Sequence, residues 1–233
     1  MTNIGRLFII AFLFSAFSAA AERIAVIGTG EVAGALGPEF ALQGHEVVYG
    51  SRDPSRESVQ TLVERTGRNA SAATLVDAVV DAKFVVLAVP GGLVESITRS
   101  LGDLTGKIII DPTNHFATSE DGLPEMAVAT SNGEIIQAAA PDAFVVKAFN
   151  TLNWSTMVDP ESAGGPVSIP LVGDNADAKA AVATLVEGMG LEAIDVGPIR
   201  YARHIEGMLI VWINARFGPA ESFEYHLRKS PSN

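Results

Sequence analysis

The feature that most constrains this chain is an apolar segment that leads directly into a glycine-containing turn. The segment runs from Arg23 to Gly28 and continues as Gly28-Thr29-Gly30-Glu31-Val32-Ala33. A short apolar run that opens onto glycine is typical of a central parallel strand, buried on both faces. Residues 32–43 then predict a helix, and residues 45–51 predict a second strand. A strand, a glycine turn, a helix and a strand within about thirty residues predict a βαβ unit.

The glycine turn predicts a binding site for a dinucleotide. The first glycine permits a tight turn, the second lets the backbone approach a pyrophosphate, and a small third residue lets helix and strand pack closely. Amide groups at the helix N-terminus, together with the helix dipole, then hold the phosphates. We therefore expect cofactor contacts from Gly28, Thr29, Gly30, Glu31, Val32 and Ala33. An ordinary βα turn without a ligand is the alternative interpretation.

The end of the second predicted strand indicates which dinucleotide is bound. Sites for NAD place Asp or Glu here to bind the ribose 2′-hydroxyl, and that carboxylate would repel a 2′-phosphate. This chain instead has Ser51 and Arg52, with Arg56 shortly after. Ser51 can donate to a phosphate, and the two arginines supply cations. NADP(H) is therefore favoured over NAD, although Asp53 lies nearby and a solvated helix start is the alternative.

The alternation of strands and helices continues along the chain. We predict strands at 84–89, 107–111, 144–149, 169–173 and 192–196. We predict helices at 54–66, 72–81, 92–101, 134–140, 176–189 and 199–217. Residues 117–133, rich in Ser, Thr, Asn and Gly, are predicted to form an irregular crossing or lid.

The order of these elements predicts an α/β fold. We expect a Rossmann-type, doubly wound, mostly parallel sheet with a short C-terminal helical extension. No repeat or Pro/Ser-rich linker divides the chain, so one domain is predicted over residues 22–217. A polar tail is predicted over residues 218–233.

Three further segments lie at the C-terminal ends of predicted strands, where the carboxyl ends of a parallel sheet face a ligand. The segments are Ala88-Val89-Pro90-Gly91, Asp111 to His115, and Lys147 to Thr151. Ala88 and Val89 close one strand, and Pro90 can shape the loop beneath a nicotinamide ring. Asn114 and Asn150 can form hydrogen bonds to a ribose or a carboxamide.

Six other positions carry titratable side chains of interest. His115 is well suited to orient or protonate an acceptor near neutral pH, and a histidine that serves only as a loop hydrogen-bonding group is the alternative. Lys147 lies inside a strand pattern, which favours a buried ion pair or a packing role over catalysis. The last helix carries charged side chains at three- and four-residue spacing, which are expected to pair with one another: Arg200, Arg203, His204 and Glu206.

Composition excludes several classes of protein. The 16 Lys+Arg and 27 Asp+Glu give a formal net charge of −11, which disfavours nucleic acids and anionic lipids as partners. The chain has no cysteine, so disulfides, thiolate nucleophiles, zinc fingers and iron–sulfur clusters are excluded. We predict no metal site. With 48% hydrophobic and 18% charged residues, the composition fits a well-packed soluble protein rather than a disordered chain.

The first twenty-one residues differ from the rest. Arg6 is followed by an apolar run from Leu7 to Phe14 and by the small residues 18–21. This is the order of regions in a secretory signal peptide, and the run is shorter than the about 20 residues that a spanning helix needs. We predict a signal peptide at 1–21, an exported protein, periplasmic or secreted, and no stable membrane span after processing. An uncleaved membrane anchor is the alternative.

Taken together, the motifs resemble those of the NADPH-dependent deazaflavin-coenzyme (factor-420) reductase family. The similarity covers residues 23–217 and extends to the oxidoreductase domain of six-transmembrane metalloreductases. The segments that carry it are Ile24 to Gly30, Gly50 to Arg52, Leu87 to Pro90, Asp111 to Asn114, Val146 to Asn150, Val172 to Lys179 and Gly197 to Glu206. One position departs from the family pattern, since members often have proline where this chain has His115.

The resemblance implies an NADP-dependent oxidoreductase with a small-molecule acceptor. The glycine turn with Ser51, Arg52 and Arg56 would hold NADP(H), and Val89, Pro90, Asn114 and Ala148 would surround the nicotinamide. In such enzymes hydride passes directly between stacked rings, so no general acid is obligatory. The acceptor would be a deazaflavin or flavin, with onward transfer to a metal ion as an option. A non-catalytic NADP(H)-binding or sensor protein is the alternative function, and a homodimer is a further expectation.

Overall fold

The computed structural model describes residues 21–67, 69–221 and 223–230. Residues 1–20 of the predicted signal peptide lie outside this range. No helix in the described part of the chain is both long and apolar enough to cross a membrane.

Ten strands form the framework of the described residues. They are β1 (Arg23–Ile27), β2 (Glu46–Gly50), β3 (Ser71–Ala73), β4 (Phe84–Leu87), β5 (Ile108–Asp111), β6 (Phe116–Thr118), β7 (Pro124–Met126), β8 (Phe144–Lys147), β9 (Ser168–Val172) and β10 (Glu192–Gly197). Eight of them make one sheet in the order β10-β9-β8-β5-β4-β1-β2-β3. Every neighbouring pair is parallel except β8 and β9, which meet at the single antiparallel pair Lys147 and Val172.

Helices cover both faces of this sheet. They are α1 (Glu31–Leu42), α2 (Glu57–Thr66), α3 (Leu75–Val79), α4 (Val94–Ser100), α5 (Asn132–Ala139), α6 (Trp154–Val158), α7 (Ala176–Gly188) and α8 (Ala202–Phe217). Alternate residues of β1 belong to two different apolar layers. Ile24 and Val26 pack in the layer that contains Phe40 of α1, whereas Ala25 and Ile27 pack in the layer that contains α3 and α5. Burial on both faces explains why β1 is apolar without alternation.

The predicted fold class is confirmed, because the sheet is mostly parallel, helices flank it and α8 extends it at the C-terminus. Two local predictions are wrong. Residues 72–81 do not form one helix, since β3 takes the first part and Thr74 caps α3 by accepting a hydrogen bond from the Asp77 amide at 3.2 Å. Residues 117–133 are not irregular throughout, because β6 and β7 pair as an antiparallel hairpin.

Among the other differences from the predicted helices, one concerns a boundary and one an additional helix. Helix α2 begins at Glu57 rather than residue 54. The Asp53 carboxylate accepts a hydrogen bond from the Ser55 amide at 3.1 Å, which stabilises a turn before the helix. Helix α6 was not predicted; the Asn153 side chain caps it by accepting the Ser155 amide at 3.0 Å.

Helix α1 contains Pro38, which lacks the amide that would bond to the Gly34 carbonyl four residues earlier. The guanidinium of Arg65, on α2, donates to that carbonyl at 3.0 Å. A methyl group added at Gly34 would come within 2.6 Å of the same guanidinium. Glycine therefore leaves room for the arginine that replaces the missing helical hydrogen bond.

The C-terminal segment 223–230 packs back onto the domain. The Tyr225 hydroxyl donates to the Met208 carbonyl at 2.7 Å, and the Trp212 indole donates to the Glu224 carboxylate at 3.1 Å. The Ser168 amide donates to the Leu227 carbonyl at 2.9 Å. These contacts place the segment against α8 and the start of β9.

Candidate functional site

The glycine turn after β1 lies between the ends of two neighbouring strands. Gly28 has φ +114°, and a Cβ at this position would lie 2.1 Å from the Ala88 carbonyl oxygen after β4. The Gly28 amide donates to the Gly50 carbonyl at the end of β2, at 3.0 Å. Only glycine combines this backbone conformation with so close an approach.

The N-terminus of α1 has no side-chain cap in the described part of the chain. The N-cap residue is Gly30. A Cβ at Gly30 would have no atom within 4 Å. The first turn of this 12-residue helix therefore offers backbone N–H groups and open space, the two requirements for a phosphate at a helix N-terminus.

A cavity of about 910 Å³ extends from this turn across the carboxyl ends of the strands. Its volume lies within the range of about 300–1,000 Å³ that is usual for small-molecule sites. It is lined by the glycine turn (Gly28 to Val32), the end of β2 (Gly50 to Asp53), Arg56, the residues after β4 (Ala88 to Pro90), the residues after β5 (Pro112 and Thr113), and the aliphatic side chains of Leu75, Leu93 and Ile97.

One end of the cavity is cationic and open to solvent. Arg52 and Arg56 are both exposed, and the Arg56 guanidinium donates to the Thr29 hydroxyl at 3.1 Å. Within the described residues, no hydrogen bond or ion pair engages Arg52. The Asp53 carboxylate is turned toward Ser55, whose hydroxyl donates to it at 2.7 Å. Ser51 accepts the Asp53 amide at 3.2 Å and donates to the Asp53 carbonyl at 3.0 Å, which fixes the loop that presents Arg52.

Most of the predicted cofactor residues come together in this cavity. Those among its lining are Gly28, Thr29, Gly30, Glu31, Val32, Ser51, Arg52, Arg56, Ala88, Val89 and Pro90. Sequence reasoning missed Leu75, Leu93 and Ile97, because helix-borne aliphatic residues look the same whether they line a core or a cavity. Pro112 and Thr113 were within a predicted ligand-facing segment but were not singled out.

Four predicted residues lie beside the cavity rather than in its lining. Ala33 and Ala148 are fully buried. Asn114 and Asn150 bind each other: the Asn150 amide donates to the Asn114 side-chain oxygen at 3.0 Å, and the Asn114 amide donates to the Asn150 carbonyl at 3.0 Å. Phe149 has φ +66°, a conformation that bulky residues rarely adopt, and this turn of the backbone directs Asn150 toward Asn114.

His115 packs against the 3₁₀ turn at Gly91–Leu93. A Cβ at Gly92 would lie 3.3 Å from the His115 Nε2 atom. The histidine is half-buried and is not among the residues that line the cavity. Its assignment as a catalytic residue stays a prediction.

A fully buried ionic cluster lies beneath the other end of the cavity. The Lys147 Nζ atom lies 2.7 Å from the Asp111 carboxylate and 2.7 Å from the Glu206 carboxylate, and all three side chains are inaccessible to solvent. The predicted buried ion pair of Lys147 is therefore confirmed. The prediction that Arg203 and Glu206 pair within the last helix is wrong, because Arg203 binds Glu134 on α5 and Glu206 binds Lys147 on β8.

The Glu206 carboxylate also accepts hydrogen bonds from the N-terminus of α5. The Asn132 amide donates to it at 3.1 Å and the Gly133 amide at 3.3 Å. Burial nevertheless raises the pKa of the Glu206 carboxyl, against the lowering effect of Lys147, and the nearby Asp111 carboxylate raises it further. Two carboxylates thus share one ammonium group in an interior without solvent.

A second, smaller cavity of about 210 Å³ lies between α6, α8 and the C-terminal segment. Trp154, Trp212 and Tyr225 supply aromatic walls, and Val32 lines both cavities. Two polar atoms of its lining residues, Asn150 Oδ1 and His226 Nδ1, are buried without a hydrogen-bond partner in the described part of the chain. Unpaired buried polar atoms are costly, so they indicate a place where a ligand or water supplies the partner.

No group of three or more His, Asp or Glu side chains within the described ranges could hold a metal ion. The fold and the large cavity together define a Rossmann-type nucleotide-binding domain, since a glycine turn, an uncapped helix N-terminus and a cationic strand end surround one space. Comparisons with known proteins identify the family within this class.

Residues 23–115 match the family model described as NADP oxidoreductase, coenzyme F420-dependent. The F420-dependent NADP reductase of Methanothermobacter marburgensis is 30% identical over 210 residues, covering 82% of this chain and 91% of the relative. A putative F420-dependent NADP reductase from Arthrobacter sp. FB24 has a solved structure that is similar with a TM-score of 0.79 and 35% identity, over 90% of this chain and all of the other. The chain belongs to the F420-dependent NADP oxidoreductase family.

The metalloreductase STEAP3 of Rattus norvegicus is 28% identical over 191 residues. The match covers 81% of this chain but 36% of the relative, so the chain spans about a third of the length of the metalloreductases it matches. Both resemblances predicted from the sequence are therefore confirmed.

Proposed function

We propose that this protein transfers hydride between NADP(H) and a planar aromatic acceptor of deazaflavin or flavin type. The observation that carries the proposal is the cavity of about 910 Å³, which joins a cationic end to an apolar end across the glycine turn. A dinucleotide with a third phosphate on one ribose has matching groups in the same order: an anionic ribose phosphate, a central pyrophosphate and a flat, less polar ring. The family membership of the chain supports NADP(H) as that dinucleotide.

The residues present can hold NADP(H). Arg52 and Arg56 would bind the 2′-phosphate, and the loop fixed by Ser51 would present Arg52 to it. The open space at Gly30 and the uncapped amides of α1 would receive the pyrophosphate. Val89, Pro90, Pro112 and Thr113 would then enclose the nicotinamide, because they line the opposite end of the cavity.

Bound NADPH supplies the hydride, so the protein's contribution is to bind, orient and keep water from the two rings. The described lining places no His, Cys or Lys beside Pro90 and Thr113. This fits a direct transfer without an obligatory general acid.

The second cavity supports an aromatic acceptor. It shares Val32 with the cofactor cavity, and Trp154 and Trp212 can stack on a flat ring system. Asn150 Oδ1 can accept a hydrogen bond from a ring N–H group, and His226 Nδ1 can complement a second polar edge. The relatives named F420-dependent NADP reductases support a deazaflavin as the first acceptor to test.

A panel of acceptors tests the proposal on the protein without residues 1–21. NADPH oxidation is followed at fixed enzyme with a deazaflavin, FMN, riboflavin and a ferric chelate, while calorimetry compares NADPH and NADH. We expect tighter binding of NADPH and its oxidation by at least one ring acceptor. Equal affinity for the two nucleotides would contradict the proposal. Preferred binding of NADPH without oxidation by any acceptor would support the non-catalytic sensor instead.

We also propose that residues 1–21 form a cleaved export signal. The proposal rests on the charge and apolar pattern of that segment alone. N-terminal sequencing of protein from fractionated native cells tests it. A start at Glu22 outside the cytoplasm is expected, whereas an intact Met1 in the membrane fraction would support the anchor.

A further inference from the structure

We propose that Lys147 is a positioning residue for the reacting end of the cofactor, acting with Asp111 and Glu206. It would hold the loops after β4 and β5 at the spacing that a nicotinamide requires. This inference rests on the proposed function, because it assigns a role toward the NADP(H) that the large cavity would bind.

The cluster begins where two neighbouring strands end. Asp111 closes β5 and Lys147 closes β8, and the two residues are directly paired in the sheet. Their side chains therefore lie on the same face, which α8 covers with Glu206. Strand pairing brings the first two charges together, and tertiary packing adds the third.

The ammonium group of Lys147 has acceptors on several sides. Besides the two carboxylates, it donates to the main-chain carbonyl of Thr113. The lysine is 0% exposed and lines neither cavity. A role as an acid or base on the substrate is therefore excluded by position, and only an indirect role remains.

Thr113 carries the effect of the cluster into the cavity. Its amide donates to Asp111 Oδ1 at 2.9 Å, its hydroxyl donates to the same oxygen at 2.6 Å, and Lys147 holds its carbonyl. All the polar groups of Thr113 are thus engaged. Thr113 lines the cavity, so displacement of this residue displaces the wall.

The network continues to the opposite wall through Asn132. The Asn132 side-chain amide donates to the Thr113 hydroxyl at 2.8 Å and to the Gly91 carbonyl at 3.1 Å, while its main-chain amide donates to Glu206. Gly91 follows Pro90, which lines the cavity. One connected set of hydrogen bonds therefore joins Lys147 to both loops that would enclose the nicotinamide.

The chemical choice at this position also favours a positioning role. Burial of an ion triad gives little net stability, and apolar residues of similar volume often serve as well or better. Hydrogen bonds from one ammonium group to three oxygens instead fix the positions of the groups that carry those oxygens. A packed apolar cluster would fill the same volume without holding the Thr113 carbonyl.

Two ligands allow the two ends of the cavity to be tested independently. Adenosine 2′,5′-bisphosphate reaches only the cationic end, whereas NADPH spans the cavity. For Lys147→Met we expect unchanged affinity for the bisphosphate and about tenfold weaker NADPH binding, equivalent to the loss of roughly one hydrogen bond. Single-turnover oxidation of NADPH by the best acceptor should slow by about 100-fold, as a misplaced reacting group would cause.

Lys179→Met is the matched control, because Lys179 binds Asp195 at 2.6 Å and lines neither cavity. It should change neither affinity. If Lys147→Met does not fold, Glu206→Gln keeps the side-chain volume and removes one anchor of the lysine. The same pattern is then expected with a smaller amplitude.

The positioning role would be overturned if the affinities for the bisphosphate and for NADPH fell by the same factor. It would also be overturned if a folded variant bound NADPH with unchanged affinity. A wild-type protein that does not bind NADPH would overturn the proposed function and the positioning role together. If the wild type binds NADPH and the Lys147→Met variant binds both ligands with unaltered affinity, only the positioning role is overturned.

Discussion

The two ends of the large cavity use positive charge in opposite ways. At the open end, Arg52 and Arg56 extend into solvent, and Arg52 has no partner in the described part of the chain. Beneath the opposite end, which we call the closed end, Lys147 lies outside the cavity lining, is fully buried, and donates to two carboxylates and a carbonyl. A cation in water stays available to a ligand and contributes little to folding. A cation in the interior is committed to the fold and can affect a ligand only through its neighbours.

The largest expected effect breaks the closed end. Lys147→Met leaves Asp111 and Glu206 without a cation, and removal of one partner from a buried ion pair costs about 3–5 kcal/mol of the free energy of unfolding. Urea denaturation at neutral pH measures it. The solvent-exposed pair of Lys83 and Glu22 provides the contrast, since Lys83→Met should cost about 0–1 kcal/mol. Similar losses for the two variants would remove the distinction between buried and solvated cations.

The next effect breaks the open end without affecting the fold. Arg52→Ala should weaken NADPH binding by about 1.5–3 kcal/mol, the value of a hydrogen bond to a charged group, and leave NADH binding unchanged. The urea midpoint should not move. Arg99→Ala is the control, because Arg99 is exposed, binds Glu95 at 2.9 Å and lies outside the cavity lining. A parallel loss of NADH affinity would show that Arg52 does not read the 2′-phosphate.

A smaller effect is expected between the two ends. Gly30→Ala introduces a methyl group that meets no protein atom within 4 Å, so stability should be unchanged. The methyl group occupies the approach to the pyrophosphate and should weaken NADPH binding by about 1–3 kcal/mol, as for an extra methylene in a packed contact. Adenosine 2′-monophosphate, which lacks the phosphates attached at the 5′ position, should bind as before. Calorimetry with both ligands distinguishes this result from general misfolding.

The smallest effect is a pH dependence at the closed end. The folded state raises the pKa of Glu206 above its ordinary value of 4.5, so the associated stability is fully present below pH 4.5 and is lost as pH rises through the folded-state pKa. Glu206→Gln removes this titration. The free energy of unfolding of the variant, relative to that of the wild type, should therefore rise with pH above 4.5. A pH-independent difference between the two proteins would contradict the raised pKa.

The open end could be predicted from the sequence because its signals are local. Gly28, Gly30, Ser51 and Arg52 lie within one βαβ unit, where each residue has a positional meaning in the fold. Backbone conformation and strand order alone bring them to one edge of the sheet. The prediction of eleven cavity-lining residues depended on little else.

The closed end was only partly predictable because its partners are distant in sequence. Lys147 in an apolar strand indicated a buried ion pair, but its partners lie 36 and 59 positions away, at Asp111 and Glu206. Glu206 lies three residues after Arg203 in the last helix, and side chains at this spacing commonly pair, so local pairing was predicted. Tertiary packing of α8 on α5 and β8 determined the true partners instead.

The hairpin of β6 and β7 was missed for a different reason. Its strands have three residues each, too few for an alternating pattern to emerge among Ser, Thr and Gly. The prediction of one helix over 72–81 was wrong for a similar reason. Strand β3 has only three residues, and its alanines are compatible with both a helix and a short edge strand.

The contact of Arg65 with the Gly34 carbonyl has an evolutionary consequence. Pro38 creates the unpaired carbonyl, and Arg65 satisfies it from another helix. Loss of Arg65 should therefore be harmful while Pro38 is present and close to neutral after Pro38→Ala, which restores a local donor. The order of the two substitutions then matters along a lineage: proline can be lost before arginine, but not readily after it. Among homologues the two positions should change together, so that residues other than arginine at position 65 accompany residues other than proline at position 38.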